Sequence, residues 1–257
     1  MHFFNAGTFI KPYFKQGLTL GLRYGFKPLC ALCECACEKT LALCEACLAD
    51  LARIRHACFC CGLPFEQTTA RTTYDLCGDC LQNPKPFQST RCALLYQNPT
   101  SHLIHQFKQQ SHWQLGHLLC DIWLQQHQPQ LQNTLTKDCI LVPIPSHPRR
   151  TAERGYCPSH FIAEHLSQPL NLAVKHLLIN QRLTPPQKSL NRAQRLRNLD
   201  DVFTCPSNSL CPTVTRIILV DDVVTTCATV MAASHALNTA GFYDIQVWAL
   251  ARTSFNS

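Results

Sequence analysis

The sequence IILVDDVVTTCAT, residues 217–229, combines the features that decide the fold of this chain. Four apolar residues predict a buried strand, two carboxylates follow it, and a turn rich in hydroxyl groups leads into a predicted helix. Ligands of open α/β sheets bind where strands end, and the first turn of a helix offers its N–H groups to a phosphate. Because the two carboxylates can accept hydrogen bonds from two ribose hydroxyls, this stretch predicts a site for a phosphorylated sugar.

Around this stretch, short β-branched runs alternate with amphipathic segments, which predicts a parallel α/β sheet covered by helices. The predicted strands are residues 91–97, 139–145, 173–179, 215–224 and 244–252. The predicted helices are residues 101–110, 114–127, 151–166 and 229–240. Residues 180–208 have no clear periodicity, so we expect a long loop there, and loops of that length are usually functional or disordered.

Cysteine is the unusual component, with 18 cysteines among 257 residues and eleven of them between Cys30 and Cys80. Four CxxC pairs occur there, and two such pairs can complete a tetrahedral zinc site with no open position, which is typical of structural zinc. We expect sequential pairing, with interleaved pairs, or replacement of one ligand by Cys35, Cys37 or Cys60, as the alternatives. The two predicted sites comprise Cys30, Cys33, Cys44 and Cys47, and Cys58, Cys61, Cys77 and Cys80.

Composition limits the class of protein and its compartment. The chain is 46% hydrophobic and 15% charged, which excludes collagen-like and disordered proteins. Residues 1–22 do not read as a secretory signal, and no apolar run is long enough to span a membrane. We therefore expect a cytoplasmic protein without a membrane span, in which grouped cysteines hold metal more often than they form disulfides.

The positive charge of the chain is concentrated in one segment. The formal net charge is +7, and residues 149–197 contain nine basic and two acidic residues. Seven of the nine are arginines, whose planar guanidinium groups suit phosphate oxygens, so this segment predicts a phosphorylated partner. A solvated basic face is the alternative.

Two sets of motifs resemble known families. Residues 217–229 resemble the phosphoribosyl pyrophosphate signature of type I phosphoribosyltransferases, except that Cys227 stands where the signature has Gly. If that turn needs a positive φ, the Cβ of Cys227 costs about 1 kcal/mol and could point toward the phosphate. VPIPSHPRRTAERGY (142–156), TPPQKSLNRAQRLRNLDDVF (184–203) and Lys108 are similar to motifs of the ComF family of bacterial competence proteins. Cys157 and Pro158 replace the Asn and Gln of that family.

The ComF resemblance implies a double zinc ribbon followed by a type I phosphoribosyltransferase-like domain. Residues 1–28 would be an N-terminal extension, residues 29–88 the double zinc ribbon and residues 89–257 the phosphoribosyltransferase-like domain. Pro84 and Pro86 disfavour helix and support a linker at that boundary.

The same resemblance implies the ligands and their residues. The cofactors would be two structural Zn²⁺ ions, and Mg²⁺ bound together with phosphoribosyl pyrophosphate. The implied catalytic residues are Asp221, Asp222, Arg149 and Arg150. The residues implied to hold the sugar pyrophosphate are Asp221, Asp222, Val223, Val224, Thr225, Thr226, Cys227, Ala228, Thr229, Ser146 and His147. Further cations, Lys188, Arg192, Arg195 and Arg197, would arrive on the long loop.

Three functional hypotheses follow. The favoured one is a competence protein that acts in DNA uptake during natural transformation and binds phosphoribosyl pyrophosphate and single-stranded DNA, with other DNA-uptake proteins as further partners. The second is a working phosphoribosyltransferase that transfers the sugar to a nitrogen base. The third is a zinc-ribbon adaptor whose transferase fold has lost its ligand, for which Cys227 and Cys157 are the evidence.

Overall fold

The structure is a computed structural model that describes residues 29–37, 43–65, 75–109, 112–131, 134–136, 138–181, 202–206 and 216–254. The chain divides into two units, Met1–Ala49 and Asp50–Ser257. The predicted extension, residues 1–28, lies outside the described residues. The predicted domain boundary near residue 88 stays a prediction.

Among the described residues of the larger unit, seven strands form two sheets. The strands are β1 (Ser89–Leu95), β2 (Cys139–Pro143), β3 (Ala173–Val174), β4 (Ile179–Asn180), β5 (Phe203–Thr204), β6 (Arg216–Val224) and β7 (Ile245–Arg252). Five of them make a sheet in the order β1-β7-β6-β2-β3, in which every neighbouring pair is parallel. β4 and β5 pair separately and antiparallel. The predicted α/β class with a parallel sheet is confirmed.

Two short helices precede β1, and five more follow it. They are α1 (Glu45–Ala49), α2 (Gly78–Gln82), α3 (Thr100–Phe107), α4 (Trp113–Leu131), α5 (Pro148–Arg154), α6 (Pro158–Leu170) and α7 (Ala228–Thr239). In the part of the chain that the structure describes, no helix is both long and apolar enough to span a bilayer.

The predicted helix 151–166 is wrong as a single element, because the structure divides it into α5 and α6. Gly155 ends α5 with a φ of 78°, a left-handed conformation that glycine adopts without steric cost. Pro158 then begins α6, where its missing N–H group costs no helical hydrogen bond. Helical periodicity continues across the break, so the pattern of apolar residues did not reveal it.

The predicted strand 173–179 is also wrong in extent. Ala173 and Val174 pair with β2, whereas Ile179 and Asn180 pair with β5 in the other sheet. The intervening residues are not strand, although Leu177 and Leu178 are buried in the core. Apolar residues that pack from an irregular segment look like a buried strand in the sequence.

The two faces of β6 pack against different partners. Ile217 and Leu219 belong to the apolar core that includes Val230 and Leu237 of α7 and the second group of cysteines. On the neighbouring strand β7, Trp248 contacts Trp123 of α4, with ring centroids 4.7 Å apart. Because both faces are covered, β6 is apolar without interruption from Ile217 to Val220, as parallel strands usually are.

His127 of α4 makes the stability of this fold depend on pH. It is buried, and burial together with the nearby charge of Arg91 lowers the pKa of His127 to about 4. The folded protein binds this proton less readily than the unfolded chain does, so the contribution of His127 to the free energy of unfolding should fall as pH decreases from about 6.5 toward 4. We expect a loss of up to about 3 kcal/mol from this group.

His127→Phe removes the titrating group and retains a ring beside Trp123. As pH decreases from about 6.5 to about 4, we expect the free energy of unfolding of this variant, measured in urea, to increase relative to that of the wild type, because the variant lacks the loss that His127 causes. His235→Gln, a change at an exposed histidine of α7, is the control and should keep the wild-type slope. Equal slopes in all three proteins would contradict the prediction.

Candidate functional site

The register of three adjacent strands brings the predicted site together. Pro143 of β2 lies opposite Val220 of β6, and Asp221 lies opposite Ala249 of β7. The N–H group of Ile144 donates to the carbonyl of Val220 at 2.9 Å, which continues the pairing past the end of β2. The turn after β2 and the acidic end of β6 therefore meet at the carboxyl edge of the sheet, where ligands of such folds bind.

The acidic pair lies at this edge and is paired with a cation. Lys108 Nζ lies 3.0 Å from Asp222 Oδ1, and both side chains are mostly buried. Burial and the adjacent Asp222 charge raise the pKa of Asp221 to about 8, so this carboxyl group holds its proton more tightly than an ordinary aspartic acid does. Lys108 balances the charge of Asp222.

Tyr156 and α3 set the position of Lys108. Lys108 follows the last residue of α3, Phe107, and its N–H group donates to the carbonyl of Ile104 at 3.1 Å. The hydroxyl of Tyr156 donates to the carbonyl of Phe107, and the Tyr156 ring packs on Trp113 with centroids 4.2 Å apart. Burial raises the pKa of Tyr156 to about 12, so this hydroxyl remains a donor at neutral pH.

Residues 225–227, which we call the phosphate loop, connect β6 to α7. Thr225 and Thr226 are exposed, whereas Cys227 is buried. Cys227 has a φ of 64°, the left-handed conformation that the glycine of the signature would adopt freely. Its Sγ lies 3.9 Å from the carbonyl oxygen of Cys61 and 3.7 Å from Arg252 Nη2. The Cys227 side chain is therefore directed into the protein core, and the threonines remain accessible.

The turn after β2 presents polar and basic groups beside the acidic pair. His147 caps α5 through its Nδ1, which accepts from the N–H group of Arg149 at 3.1 Å. Arg149 is highly exposed and pairs with Glu153 at 3.0 Å, an exposed ion pair of little energetic value. Arg150 is exposed too. Both guanidinium groups are thus accessible to an anionic ligand.

Cys157 and Asn180 also contact this turn. Cys157 Sγ lies 3.5 Å from Ser146 Oγ and 3.1 Å from Ser159 Oγ. Asn180 Nδ2 donates to the carbonyl of Pro145 at 3.2 Å. The thiol that replaces the amide of the family motif therefore keeps a polar contact with the turn.

Eight cysteines form two groups of four, as sequential pairing predicts. Within each group, the four sulfur atoms all lie within 4.8 Å of one another. The groups are Cys30, Cys33, Cys44 and Cys47, and Cys58, Cys61, Cys77 and Cys80. Four thiolates at this spacing suit Zn²⁺ in a closed tetrahedral site, so both groups could hold zinc ions in a structural role.

The second group is fully buried in the larger unit. Cys61 Sγ lies 3.6 Å from Cys77 Sγ, and the N–H group of Cys77 donates to Cys58 Sγ at 3.3 Å. The thiol of Cys61 and burial raise the pKa of Cys58 to about 12, so a metal ion has to displace the protons of these thiols. Cys60 contacts the carbonyl of Phe87 at 3.7 Å instead, which places it outside the group.

Gly62 allows the second group to approach the sheet. Its φ is 69°, and a Cβ at this position would lie 2.8 Å from the Cγ2 atom of Thr90 in β1. The N–H group of Thr90 donates to the carbonyl of Phe59 at 3.0 Å. The CxxC turn therefore rests directly on β1, and a side chain at residue 62 would force the two apart.

The first group lies in the smaller unit. Cys33 Sγ is 3.7 Å from Cys44 Sγ, and the N–H group of Cys47 donates to Cys44 Sγ at 3.5 Å. Glu34 completes the turn with a φ of 58° and donates its N–H to the carbonyl of Cys30 at 2.9 Å. Cys30 is buried and Cys33 is exposed, so this group is more accessible than the second.

Arg252 is a residue of this region that the sequence analysis missed. It ends the apolar strand β7 and is 5% exposed. Its Nε donates to the carbonyl of Cys61 at 2.9 Å, and its Nη1 donates to the carbonyls of Val224 and Thr225. The only sequence signal was a charged residue at the end of a predicted buried strand. The cations expected on the long loop, Lys188, Arg192, Arg195 and Arg197, lie outside the described residues.

Comparisons with known proteins agree on one family. No family model matches the sequence. The chain is 30% identical over 230 residues to the DNA utilization protein YhgH of Salmonella typhimurium, and this match covers 88% of the chain and 97% of that protein. It is 28% identical over 178 residues to Competence protein F of Haemophilus influenzae, with 68% and 78% covered. It is 25% identical over 207 residues to Competence protein ComFC of Bacillus subtilis, with 76% and 77% covered.

The match to the Salmonella protein covers most of both chains. At this identity and coverage, together with the two groups of four cysteines, the chain belongs to the ComF family of competence and DNA utilization proteins.

Proposed function

We propose that this protein acts in the uptake or use of DNA. It would bind phosphoribosyl pyrophosphate at the carboxyl edge of its sheet, and single-stranded DNA through a basic surface formed by Arg149, Arg150 and Arg154 of α5. The names of its relatives, competence and DNA utilization proteins, support the role in DNA uptake. One observation supports this choice of ligand. An acidic pair, an exposed turn with hydroxyl groups at the start of a helix and two accessible arginines all lie at one edge of the sheet.

The sugar pyrophosphate matches the charges of this site. Asp222, with Asp221 beside it, would accept hydrogen bonds from the two ribose hydroxyls in competition with Lys108. The ammonium group of Lys108 would then be available to the pyrophosphate, together with Arg149 and Arg150. The N–H groups at the start of α7 would hold the 5′-phosphate. Mg²⁺, when bound with the ligand, would neutralise further charge on the pyrophosphate.

Cys227 does not block this site. Its sulfur atom is buried against Cys61 and Arg252, away from the exposed hydroxyl groups of Thr225 and Thr226. This orientation removes one of the two reasons for the hypothesis of an adaptor that has lost its ligand, and leaves Cys157 as the other.

The basic surface supports a nucleic-acid partner. Arg149 and Arg150 lie on α5, and Arg154 ends the same helix. Exposed arginines attract phosphates by charge, which gives binding without sequence preference and with a strong dependence on salt.

A working phosphoribosyltransferase is the second candidate function. A nitrogen base that accepts the sugar would bind at the same edge of the sheet. Release of pyrophosphate in the presence of a panel of nitrogen bases therefore distinguishes an enzyme from a binding protein.

The metal content can be measured directly. We expect two zinc ions per chain by elemental analysis of protein purified without added metal, since each group of four sulfurs completes one closed site. Cys77→Ser and Cys47→Ser should each lose one zinc ion. Cys120→Ser, a change at a buried cysteine of α4 outside both groups, should keep two. Fewer than two zinc ions in the wild type would contradict the proposed sites.

Binding of the sugar pyrophosphate should raise the melting temperature. With Mg²⁺ and ligand at about 100 times the Kd, we expect stabilisation of about 2.7 kcal/mol and a shift of about 5 °C or more. Asp222→Asn should abolish the shift, because it weakens the acceptor of the ribose hydroxyls, while the zinc content stays at the wild-type value. Asp244→Asn breaks an ion pair with Arg216, which begins β6 at its opposite end, and should keep the ligand-induced shift. A shift of wild-type size in Asp222→Asn would show that the ligand binds elsewhere.

Single-stranded DNA should bind with an affinity that falls steeply as salt increases. We expect Arg150→Gln to weaken binding of an oligonucleotide of mixed sequence. The plot of log affinity against log salt should become less steep by the amount that about one phosphate contact contributes. Arg55→Gln changes an exposed arginine outside α5 and should leave the slope unchanged. Fluorescence anisotropy measures the affinity and its dependence on salt. Salt concentrations from about 50 to about 300 mM cover the range in which the release of counterions dominates binding. A binding signal that does not depend on salt would contradict this interface.

A further inference from the structure

Arg252 contacts two parts of the molecule: the second cysteine group, which is predicted to hold zinc, and the phosphate loop, which is predicted to hold the 5′-phosphate. Its Nε donates to the carbonyl of Cys61, a member of the second cysteine group, at 2.9 Å. Its Nη1 donates to the carbonyl of Val224 at 3.3 Å and to that of Thr225, at the start of the phosphate loop. Its Nη2 lies 3.7 Å from the Sγ atom of Cys227. One guanidinium group therefore joins the CxxC turn of Cys61 to the first and last residues of the phosphate loop.

The burial of Arg252 gives these contacts their importance. A buried guanidinium group is stable only when its donors are satisfied and its charge is balanced. Among the described residues, the hydrogen-bond partners of Arg252 are carbonyl oxygens, the Sγ atom of Cys227 and the hydroxyl of Thr253, and none of them is a carboxylate. A zinc ion with four thiolates has a formal charge of −2 and would place negative charge beside Cys61 and Arg252.

The turn that carries the Cys61 carbonyl is held by the ligand cysteines. The N–H group of Gly62 donates to the carbonyl of Cys58, and that of Cys58 donates to the carbonyl of Leu63, both at 2.8 Å. Cys58 and Cys61 are both members of the second group. A metal ion bound by these cysteines would fix the turn, and so would fix the direction of the carbonyl that Arg252 uses.

Cys227 adds a second connection to the same turn. It holds a positive φ without being glycine, and its sulfur is buried 3.9 Å from the Cys61 carbonyl. A glycine at residue 227 would give the loop the same backbone conformation but no side-chain contact with the zinc turn. In this chain, the Cys227 side chain contacts the turn of the second cysteine group directly, and Arg252 joins the backbone of the phosphate loop to the same turn.

We propose that Arg252 is a positioning residue that couples zinc at Cys58, Cys61, Cys77 and Cys80 to the phosphate loop, so that loss of this zinc disorders the loop and weakens binding of the sugar phosphate. The part of this inference that concerns ligand affinity rests on the proposed function. The part that concerns order in the loop rests only on the contacts of Arg252 and Cys227. The first cysteine group, which belongs to the other unit, provides the matched control.

The loop can be observed without any ligand. Hydrogen exchange of peptides that cover residues 223–230 should be at least tenfold faster in Cys77→Ser, after loss of its zinc, than in the wild type. Cys47→Ser loses a zinc ion from the first group and should show wild-type exchange in the same peptides. Wild-type exchange at residues 223–230 in a Cys77→Ser protein that lacks the zinc would overturn the coupling.

A second variant tests Arg252 with the zinc ligands intact, in case Cys77→Ser fails to fold. Arg252→Lys keeps the positive charge but loses the planar arrangement of donors that reaches Cys61 and Thr225 together. Binding of phosphoribosyl pyrophosphate should slow the release of one zinc ion to a chelator in the wild type, because a ligand that holds the loop also holds, through Arg252, the turn that carries Cys61. In Arg252→Lys the ligand should not change the release rate. A general structural role for Arg252 would change melting temperature but leave this dependence on ligand in place.

The two proposals can fail separately. If the wild type gives no melting shift with phosphoribosyl pyrophosphate and Mg²⁺, the proposed function is wrong, and the exchange experiment still decides whether zinc orders the loop. If the wild type binds the ligand but zinc release is equally fast with and without it, the coupling is wrong and the proposed function stands.

Discussion

The burial of β6 between two covered faces of the sheet is the constraint on which the rest of the structure depends. Ile217 to Val220 are fully buried, so a slip of the strand by one residue would move Arg216 or Asp221 into a buried position. The polar continuation of this strand, Asp221 and Asp222, therefore appears at a fixed point of the carboxyl edge. Its parallel neighbours β2 and β7 end at the same edge, which brings the turn after β2 and the end of β7 to the acidic pair.

The second cysteine group extends this core and is not a separate appendage of the sheet. Its four cysteines belong to the same cluster of buried residues as Leu219, Val247 and Val230. Gly62 lets the CxxC turn rest on β1, and Arg252 carries hydrogen bonds from that turn to the end of β6. A metal ion held by these cysteines would stabilise the face of the sheet opposite Trp123, where Val230 and Leu237 of α7 also pack.

Much of the fold and of the site could be predicted from the sequence. The spacing of the CxxC pairs predicted two groups of four because a two-residue separation is what turns two thiolates toward one point. The parallel sheet followed from apolar runs that alternate with amphipathic helices. The break between α5 and α6 could not be predicted from periodicity, since Gly155 and Pro158 act on the backbone and not on the apolar pattern.

The sequence by itself determined which residues can do chemistry: eight thiols in pairs, two carboxylates at a strand end, hydroxyls at a helix start and a run of arginines. Only the tertiary structure decided what lies behind the phosphate loop. Cys227 could have pointed at the ligand or into the core, and Arg252 looked like the end of a buried strand. Their partners, Cys61 among them, are distant in sequence, and the packing of the cysteine group on the sheet brings them together.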